Sequence, residues 1–188
     1  MLINTLPPLT RNVTCAVTGH RILSGDFNRE KLIKTLDGII GEGYEYFLDG
    51  MALGFDTECF RALEYLRSNG RNIKIVAVTP CSDQAARFPA KARAEYYRML
   101  ESADTVIAEP DAYFEGCMLK RNDFLVENSS LVLAGYRNVK RGGTFYTINK
   151  AVSLGVTEDD IKSAIFDSVK LSVDAFTGAQ KLVEMKGE

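Results

Sequence analysis

The sequence lacks an excess of either charge and lacks long apolar runs. Its 23 lysines and arginines oppose 25 aspartates and glutamates, for a formal net charge of −2 at pH 7. This balance gives no support to nucleic acid or anionic lipid as a partner. Without a run of about 18 apolar residues, we expect no membrane-spanning helix. Residues 1–12 have no charged segment followed by an apolar one, so we interpret them as an N-terminal arm rather than a signal peptide.

Cysteine motifs and repeats are also missing. The four cysteines (Cys15, Cys59, Cys81 and Cys117) form no C-x-x-C pair, and their spacing fits neither a zinc site nor a disulfide framework. We therefore expect reduced, buried thiols, a cytoplasmic location and no metal site. The sequence shows no internal repeat and no low-complexity segment. With 188 residues, 46% hydrophobic and 26% charged, the chain is long enough to bury the core of one domain.

Short apolar runs alternate with segments of helical periodicity five times along the chain. The predicted strands cover 13–18, 46–48, 73–78, 105–108 and 130–134, and the predicted helices cover 31–41, 56–68, 90–101, 118–128 and 144–154. Strands that are apolar on both faces and alternate with helices are typical of a parallel sheet covered on both sides. The predicted fold is a doubly wound, Rossmann-like α/β domain over residues 13–155, a three-layer sandwich with a mainly parallel sheet.

The last part of the sequence has a different pattern. Thr157-x-x-Asp160 resembles a capping box, and Ile161, Ile165 and Val169 then follow at helical spacing. We interpret residues 156–188 as a C-terminal helical extension. It would pack against the domain or against a sister subunit.

Polar and glycine-rich segments follow several of the predicted strands. In doubly wound sheets, ligands bind beyond the carboxyl ends of the strands, where the strand order reverses. The first such segment is Thr18-Gly19-His20-Arg21. Glycine lets the backbone approach a ligand, and arginine offers a fork of donors suited to phosphate or carboxylate. His20, the one histidine of the chain, could contact the ligand or cap a turn.

The second segment follows the second strand and contains two glycines four residues apart. We expect ligand contacts from Gly50, Met51, Ala52, Gly54 and Asp56. Backbone amides freed by the glycines could face an anion at the start of the following helix, where Asp56 could act as the N-cap. The segment matches neither G-x-G-x-x-G nor G-x-x-x-x-G-K-[ST] and is a weak motif alone. Thr79, which closes the third strand, is a further predicted ligand contact.

Two more segments complete the predicted site. Gly142-Gly143-Thr144, between the fifth strand and its helix, has the pattern of a phosphate cradle, with Thr144 as cap and donor. A plain loop with a threonine cap is the alternative. Arg121 and Asn122 lie near the start of the fourth predicted helix, where Arg121 could clamp a phosphate or a ribose. The alternative for this pair is a solvent-facing basic turn.

Taken in order, these segments resemble the YpsA-like branch of the SLOG superfamily. That superfamily also holds the Lonely Guy (LOG) phosphoribohydrolases and the DNA-processing protein DprA. The matching residues are Thr18 to Arg21, Gly50 to Asp56, Arg121-Asn122 and Gly142 to Thr144. The resemblance runs from about Val13 to Leu154. It implies a Rossmann-like fold with a nucleotide site at the strand ends.

The resemblance to the LOG enzymes also implies a possible activity. They hydrolyse the N-glycosidic bond of nucleoside monophosphates, and Arg121 falls where their arginine would, which makes it the candidate catalytic residue. Their glycine-rich turn is followed by a glutamate, whereas Phe145 to Asn149 include none. Glu58, Glu109 or Glu127 could replace that glutamate only if the fold brings one into the pocket. The family pattern also implies a sixth strand where the C-terminal helix is predicted.

Three functions are consistent with these observations. The first, which we favour, is a sensor or carrier that binds a nucleotide or an ADP-ribose-like, phosphate-bearing ligand, with no certain cofactor. The second is a LOG-like phosphoribohydrolase of nucleoside monophosphates. Single-stranded DNA binding ranks third, and we do not expect nucleic acid as a partner, because no basic groove with interleaved aromatics is evident. We expect a homo-oligomer, most simply a dimer.

Overall fold

The computed structural model describes residues 11–109, 111–136, 141–155 and 161–163. Within these ranges the strands are β1 (Thr14–Gly19), β2 (Tyr46–Asp49), β3 (Lys74–Thr79), β4 (Thr105–Ala108), β5 (Leu131–Gly135) and β6 (Ile161–Ser163). The helices are α1 (Arg29–Gly41), α2 (Phe55–Ser68), α3 (Ala90–Ser102), α4 (Cys117–Glu127) and α5 (Gly143–Ser153), and a single 3-10 turn (Arg11–Val13) precedes β1. The first five strands and the five helices lie within two residues of their predicted bounds.

All strand pairs of the sheet are parallel, and the strand order is β4-β3-β2-β1-β5-β6. The chain steps outward from β1 to β4, then returns to place β5 on the other side of β1. With right-handed crossovers, this reversal sends α1, α2 and α3 to one face of the sheet and α4 and α5 to the other. The predicted doubly wound α/β fold is confirmed, and the reversal lies between β1 and β5.

The core follows from the alternation of side chains along the strands. Cys15 and Val17 of β1 pack in the apolar cluster that includes α1, α2 and α3, whereas Ala16 between them packs with Leu125 of α4. Both faces of β1 are therefore buried, which is why its sequence is a continuous apolar run. The rigid sheet fixes the positions of the loops that leave its carboxyl edge.

The predicted C-terminal helix is wrong at residues 161–163. Ile161–Ser163 forms β6, which pairs in parallel with Val132, Leu133 and Ala134 of β5. Without this strand, β5 would be an open edge, and β6 satisfies its backbone hydrogen-bonding groups instead. Three residues are too few to show a period, so the helical spacing of Ile161 and Ile165 was not decisive. The sheet of the predicted domain thus extends beyond residue 155, and the rest of the predicted helical extension lies outside the described residues, as do residues 1–10 of the predicted N-terminal arm.

Three further observations concern the described ranges alone. None of their helices is long and apolar enough to cross a membrane. All four cysteines are buried, free thiols. No group of three or more histidine, cysteine, aspartate or glutamate side chains gathers there as a metal site would require.

Candidate functional site

The loops after β1, β2 and β5 meet at the carboxyl edge of the sheet. The amide of His20 donates to the Gly135 carbonyl over 3.1 Å, and the amide of Phe55 donates to the His20 carbonyl over 3.1 Å. Gly19 and Gly135 end the two neighbouring strands, and a Cβ at either position would overlap the Phe55 ring. These two glycines therefore let Phe55, the first residue of α2, pack directly against the ends of β1 and β5.

A cavity of about 220 Å³ opens where these loops converge, and we name it the smaller chamber. It lies at the strand-order reversal, where doubly wound folds place ligands. Ten of its lining residues were predicted ligand contacts: Thr18, Gly19, His20, Arg21, Ala52, Asp56, Arg121, Asn122, Gly143 and Thr144. Met118 and Leu125 of α4 complete the lining and were not predicted. Both have helical spacing from Arg121, which is the signal that could have found them.

The N-terminus of α5 points its first turn toward the smaller chamber. Gly142 is the N-cap with φ +92°, and no side chain within the described ranges caps the helix. Thr144 was predicted to cap α5, but it is the second helical residue and lines the chamber instead. The amides of the first turn have no intrahelical acceptors, and the helix dipole adds partial positive charge there. Together these features favour an anion at Gly143 and Thr144.

Arg121 is held in place by the protein. Its guanidinium donates to the Gly50 carbonyl and, over 2.8 Å, to the Asn122 side-chain oxygen. A Cβ at position 50 would overlap the guanidinium, so the glycine makes room for it. Arg121 is only 9% exposed, so it does not belong to the solvent-facing basic turn that was the alternative interpretation. It contributes charge to the chamber wall from a fixed position.

Two buried carboxylates accompany Arg121. Asp49 accepts the Met51 amide over 2.7 Å, and Asp56 accepts the Ala52 amide over 3.2 Å. The second carboxylate oxygen of each aspartate is buried and has no hydrogen-bond partner among the residues that the structure describes. Asp56 was predicted to be an N-cap, but Gly54 is the N-cap of α2 and Asp56 is its second residue. Asp49, the last residue of β2, was not among the predicted contacts.

Burial controls the ionisation of these groups. Loss of solvation, reinforced by the Asp56 charge, raises the pKa of Asp49 well above its usual value. Loss of solvation likewise raises the pKa of Asp56 to about 6, although Arg121 and the Ala52 amide oppose the rise. Burial also lowers the pKa of Arg121. The wall of the smaller chamber therefore carries an acid that titrates close to neutrality.

Several predicted contacts support the chamber without lining it. Gly54, with φ +82°, lies against the backbone carbonyls of His20 and Arg21, and Gly142 caps α5. Met51, although its φ of +59° is unusual for a side-chain-bearing residue, is 1% exposed in the core. The Thr79 carbonyl accepts the Glu109 amide over 3.3 Å, and Thr79 does not line the smaller chamber. Gly50 packs against Arg121.

A second cavity, of about 660 Å³, adjoins the first, and we name it the larger chamber. Arg21, Ala52 and Met118 line both chambers, so the two share a wall. The remaining lining comes from Leu53, Cys81, Asp83, Gln84, Ala86, Arg87, Phe88 and Tyr113. None of these eight residues was predicted to contact the small-molecule ligand. The segment after β3 leaves the same edge of the sheet as the other loops, and its Arg87-Phe88 pair is the signal that could have drawn attention to it.

The glutamates considered as replacements for the missing family glutamate lie elsewhere. Glu58 pairs with Arg61, Glu109 with Lys120, and Glu127 with Lys150 over 3.3 Å. None of the three lines either chamber. Asp56 is the carboxylate that the fold brings to the smaller chamber.

Comparison with known proteins places the chain in a family. The model of the YpsA (YspA SLOG) family matches residues 26–168. The uncharacterized SPbeta prophage-derived protein YoqJ of Bacillus subtilis (strain 168) is 27% identical over 127 residues, which cover 61% of this chain and 74% of that protein. The UPF0398 protein BH1768 of Halalkalibacterium halodurans is 29% identical over 115 residues, which cover 60% of this chain and 61% of that protein.

Solved structures with the same fold include DNA processing protein A (DprA) from two bacteria. The Helicobacter pylori structure, described for its single-stranded DNA binding mode, superposes with a TM-score of 0.58 and 16% identity over 83% of this chain and 66% of that chain. DprA from Streptococcus pneumoniae gives 0.58 and 18% over 95% of this chain and 58% of that chain. This chain thus spans less than two thirds of both DprA chains, and at these identities the likeness shows the fold. The family match covers most of the sequence, and the chain belongs to the YpsA family of the SLOG superfamily.

Proposed function

We propose that the protein binds a nucleotide or nucleotide-derived, phosphate-bearing small molecule in the smaller chamber, as a sensor or carrier. The observation that carries this proposal is the start of α5, which lines the chamber with Gly143 and Thr144 and has no side-chain cap. An uncapped helix N-terminus of this kind binds phosphate through its free amides and its dipole. The phosphate would lie against the backbone of Gly143.

The charged groups that line the chamber fit a ligand that combines an anion with a neutral polar group. Arg21 is exposed at the chamber mouth and has no hydrogen-bond or ion-pair partner within the described part of the chain. It is therefore available to a phosphate as a fork of donors. Asp56 lines the same chamber, where the Arg21 charge acts on it, and can accept from a sugar hydroxyl. A sugar phosphate meets both requirements.

The test is a thermal-shift screen against nucleoside mono- and diphosphates, NAD and ADP-ribose, with released base assayed in the same wells. A ligand at 100 times its dissociation constant adds about 2.7 kcal/mol of stability. For a chain of this size, that is a rise in Tm of about 5–10 °C. Stabilisation without base release is the expected result.

The matched variants are Gly143→Val and Gly38→Val. Valine at position 143 would fill the cradle, whereas position 38 is an exposed helical site with open space around it. We expect the ligand-induced shift to vanish in Gly143→Val and to persist in Gly38→Val. A shift that survives in Gly143→Val would place the ligand elsewhere, and no shift with any compound would refute the nucleotide proposal.

A LOG-like phosphoribohydrolase is the second candidate, and Asp56 is the observation that favours it. The acid lies in the wall of the smaller chamber, and burial holds its pKa at about 6, which suits proton transfer near neutral pH. In this candidate Asp56 supplies the acid that a glutamate supplies in the LOG enzymes, and Arg121 provides the positive charge near it. Base release that depends on Asp56, tested with Asp56→Asn, would establish the enzyme and refute a purely binding role.

Single-stranded DNA binding is kept as a third candidate because of the fold shared with DprA. Because this fold also occurs in DprA, net charge alone is not a reason to exclude nucleic acid as a partner. A fluorescence anisotropy titration with oligothymidylate distinguishes the candidates. We expect no binding at physiological salt, and salt-dependent binding there would favour DNA over a small molecule.

The expected dimer and the cytoplasmic location also stay proposals. Light scattering on the purified full chain tests the first. A mass of twice the 20.8 kDa protomer is the expected result. Fractionation of cells that express the chain tests the second.

A further inference from the structure

The larger chamber has the features of a binding site in its own right. At about 660 Å³, its volume falls within the range of small-molecule sites in proteins. Its lining combines aromatic and aliphatic side chains with a few polar groups, which is the usual composition of such sites. Two aromatic rings, Phe88 and Tyr113, belong to this lining.

The walls of the larger chamber are fixed by hydrogen bonds between loops. Asp83 accepts the Tyr113 amide over 2.7 Å, and the Ser82 amide donates to the Asp111 carbonyl over 2.9 Å. Gln84, 8% exposed, donates to the carbonyls of Gly50 and Met51 over 3.1 and 3.0 Å. The segment after β3 is thus tied both to residues 111–113 and to the loop that forms the smaller chamber.

Two of the lining groups remain available to a ligand. The Tyr113 side chain is 62% exposed. Arg87 is exposed and has no hydrogen-bond or ion-pair partner within the described ranges. An exposed aromatic ring and an unpaired guanidinium in the lining of one chamber are suited to a flat, electron-rich ring that belongs to an anionic ligand.

From this geometry we infer that the larger chamber takes the nucleoside part of a nucleotide whose phosphate lies in the smaller chamber, with the base stacked on Tyr113. The inference rests on the proposed function and adds to it the direction in which the ligand extends. Arg21, in the wall that the chambers share, would contact the ligand where the two parts join. The segments after β3 and β4 would then contact the base, and the start of α5, after β5, would contact the phosphate.

The experiment compares ribose 5-phosphate with AMP by calorimetric titration of the full chain. Ribose 5-phosphate probes the smaller chamber alone, and AMP probes both chambers. In the parent protein we expect AMP to bind at least about tenfold more tightly, which is within the range for one stacked base. The affinity for ribose 5-phosphate is the internal reference in every variant.

Two variants address the larger chamber, each with a matched control. Tyr113→Ala removes the exposed ring, and Phe114→Ala removes its neighbour, which is 38% exposed and does not line either chamber. Ala86→Phe fills the chamber, and Ala94→Phe makes the same change at an exposed position of α3 outside it. We expect Tyr113→Ala and Ala86→Phe to abolish the tenfold preference for AMP, and both controls to keep it.

The outcomes separate this inference from the proposed function. If ribose 5-phosphate binds but AMP binds no more tightly, or if the preference persists in Tyr113→Ala and Ala86→Phe, the inference is wrong and the proposed function stands. If the parent protein binds neither these two compounds nor any compound of the thermal-shift screen, the proposed function is wrong and the inference with it.

Discussion

Replacing Arg121 by methionine tests whether this arginine stabilises the folded state. Methionine keeps an apolar stem but removes the charge that offsets Asp49 and Asp56, both buried beside it. Removing one partner of a buried ionic cluster costs about 3–5 kcal/mol, because the remaining charge is left without compensation. The donation to the Gly50 carbonyl is lost as well. We therefore expect Arg121→Met to lower the free energy of unfolding by about 3–5 kcal/mol at pH 8.

The cost has a specific pH dependence. Burial raises the pKa of Asp56 to about 6, so this carboxyl gains a proton as the pH falls from 8 to 5. Once protonated, it no longer needs the arginine charge. Urea unfolding followed by circular dichroism should show a smaller cost at pH 5 than at pH 8.

Arg21→Ala is the matched control. Arg21 lines the same chamber but is exposed, and such surface substitutions change stability by about 0.5 kcal/mol or less. A cost for Arg121→Met under about 1 kcal/mol at pH 8, or a cost that does not change with pH, would refute this account of the buried cluster.

Two further changes probe the segment that follows β2. Gly54→Ala should destabilise the protein by at least about 2 kcal/mol more than Gly70→Ala, because φ is positive at both positions but a Cβ overlaps the Arg21 carbonyl at position 54 alone. Equal costs, measured by urea unfolding, would show that the loop yields to the added carbon. The pKa of Asp56 is 3.8 in its ordinary state and about 6 in the folded protein, so between these pH values the folded state binds more protons than the unfolded state. The contribution of Asp56 to the free energy of unfolding therefore falls as the pH rises from 3.8 to about 6, by about 3 kcal/mol in all. Asp56→Asn should remove that fall, and a variant whose stability follows the parent curve from pH 4 to pH 7 would contradict the assigned pKa.

The sequence predicted the elements, and the place of a cavity at the strand ends, because both depend on local patterns. Strands such as 131–135 are buried on both faces and therefore read as continuous apolar runs. The rule for parallel sheets then pointed to the strand ends, and the smaller chamber lies there. The local pattern predicted a helix at β6, although the family resemblance implied a sixth strand there, because the pairing of β6 with β5 is a tertiary contact that three residues cannot signal.

The electrostatics and the larger chamber depend on residues far apart in the chain. Asp49 and Asp56 looked like a turn residue and a cap, since only the folded chain brings them beside Arg121 and away from water. In the same way, the larger chamber joins the segment after β3 to Tyr113, some thirty residues later, through the hydrogen bond that Asp83 accepts. Sequence spacing carries no record of such contacts.

The most direct test of phosphate binding at the start of α5 is a titration of the 15N-labelled protein with inorganic phosphate, followed by amide chemical shifts. Phosphate is small enough to enter the smaller chamber without the larger one. We predict saturable shifts centred on the amides of Gly143 and Thr144, with smaller shifts at Gly19 and His20. Saturable shifts confined to other regions, or none at millimolar phosphate, would contradict the proposed site.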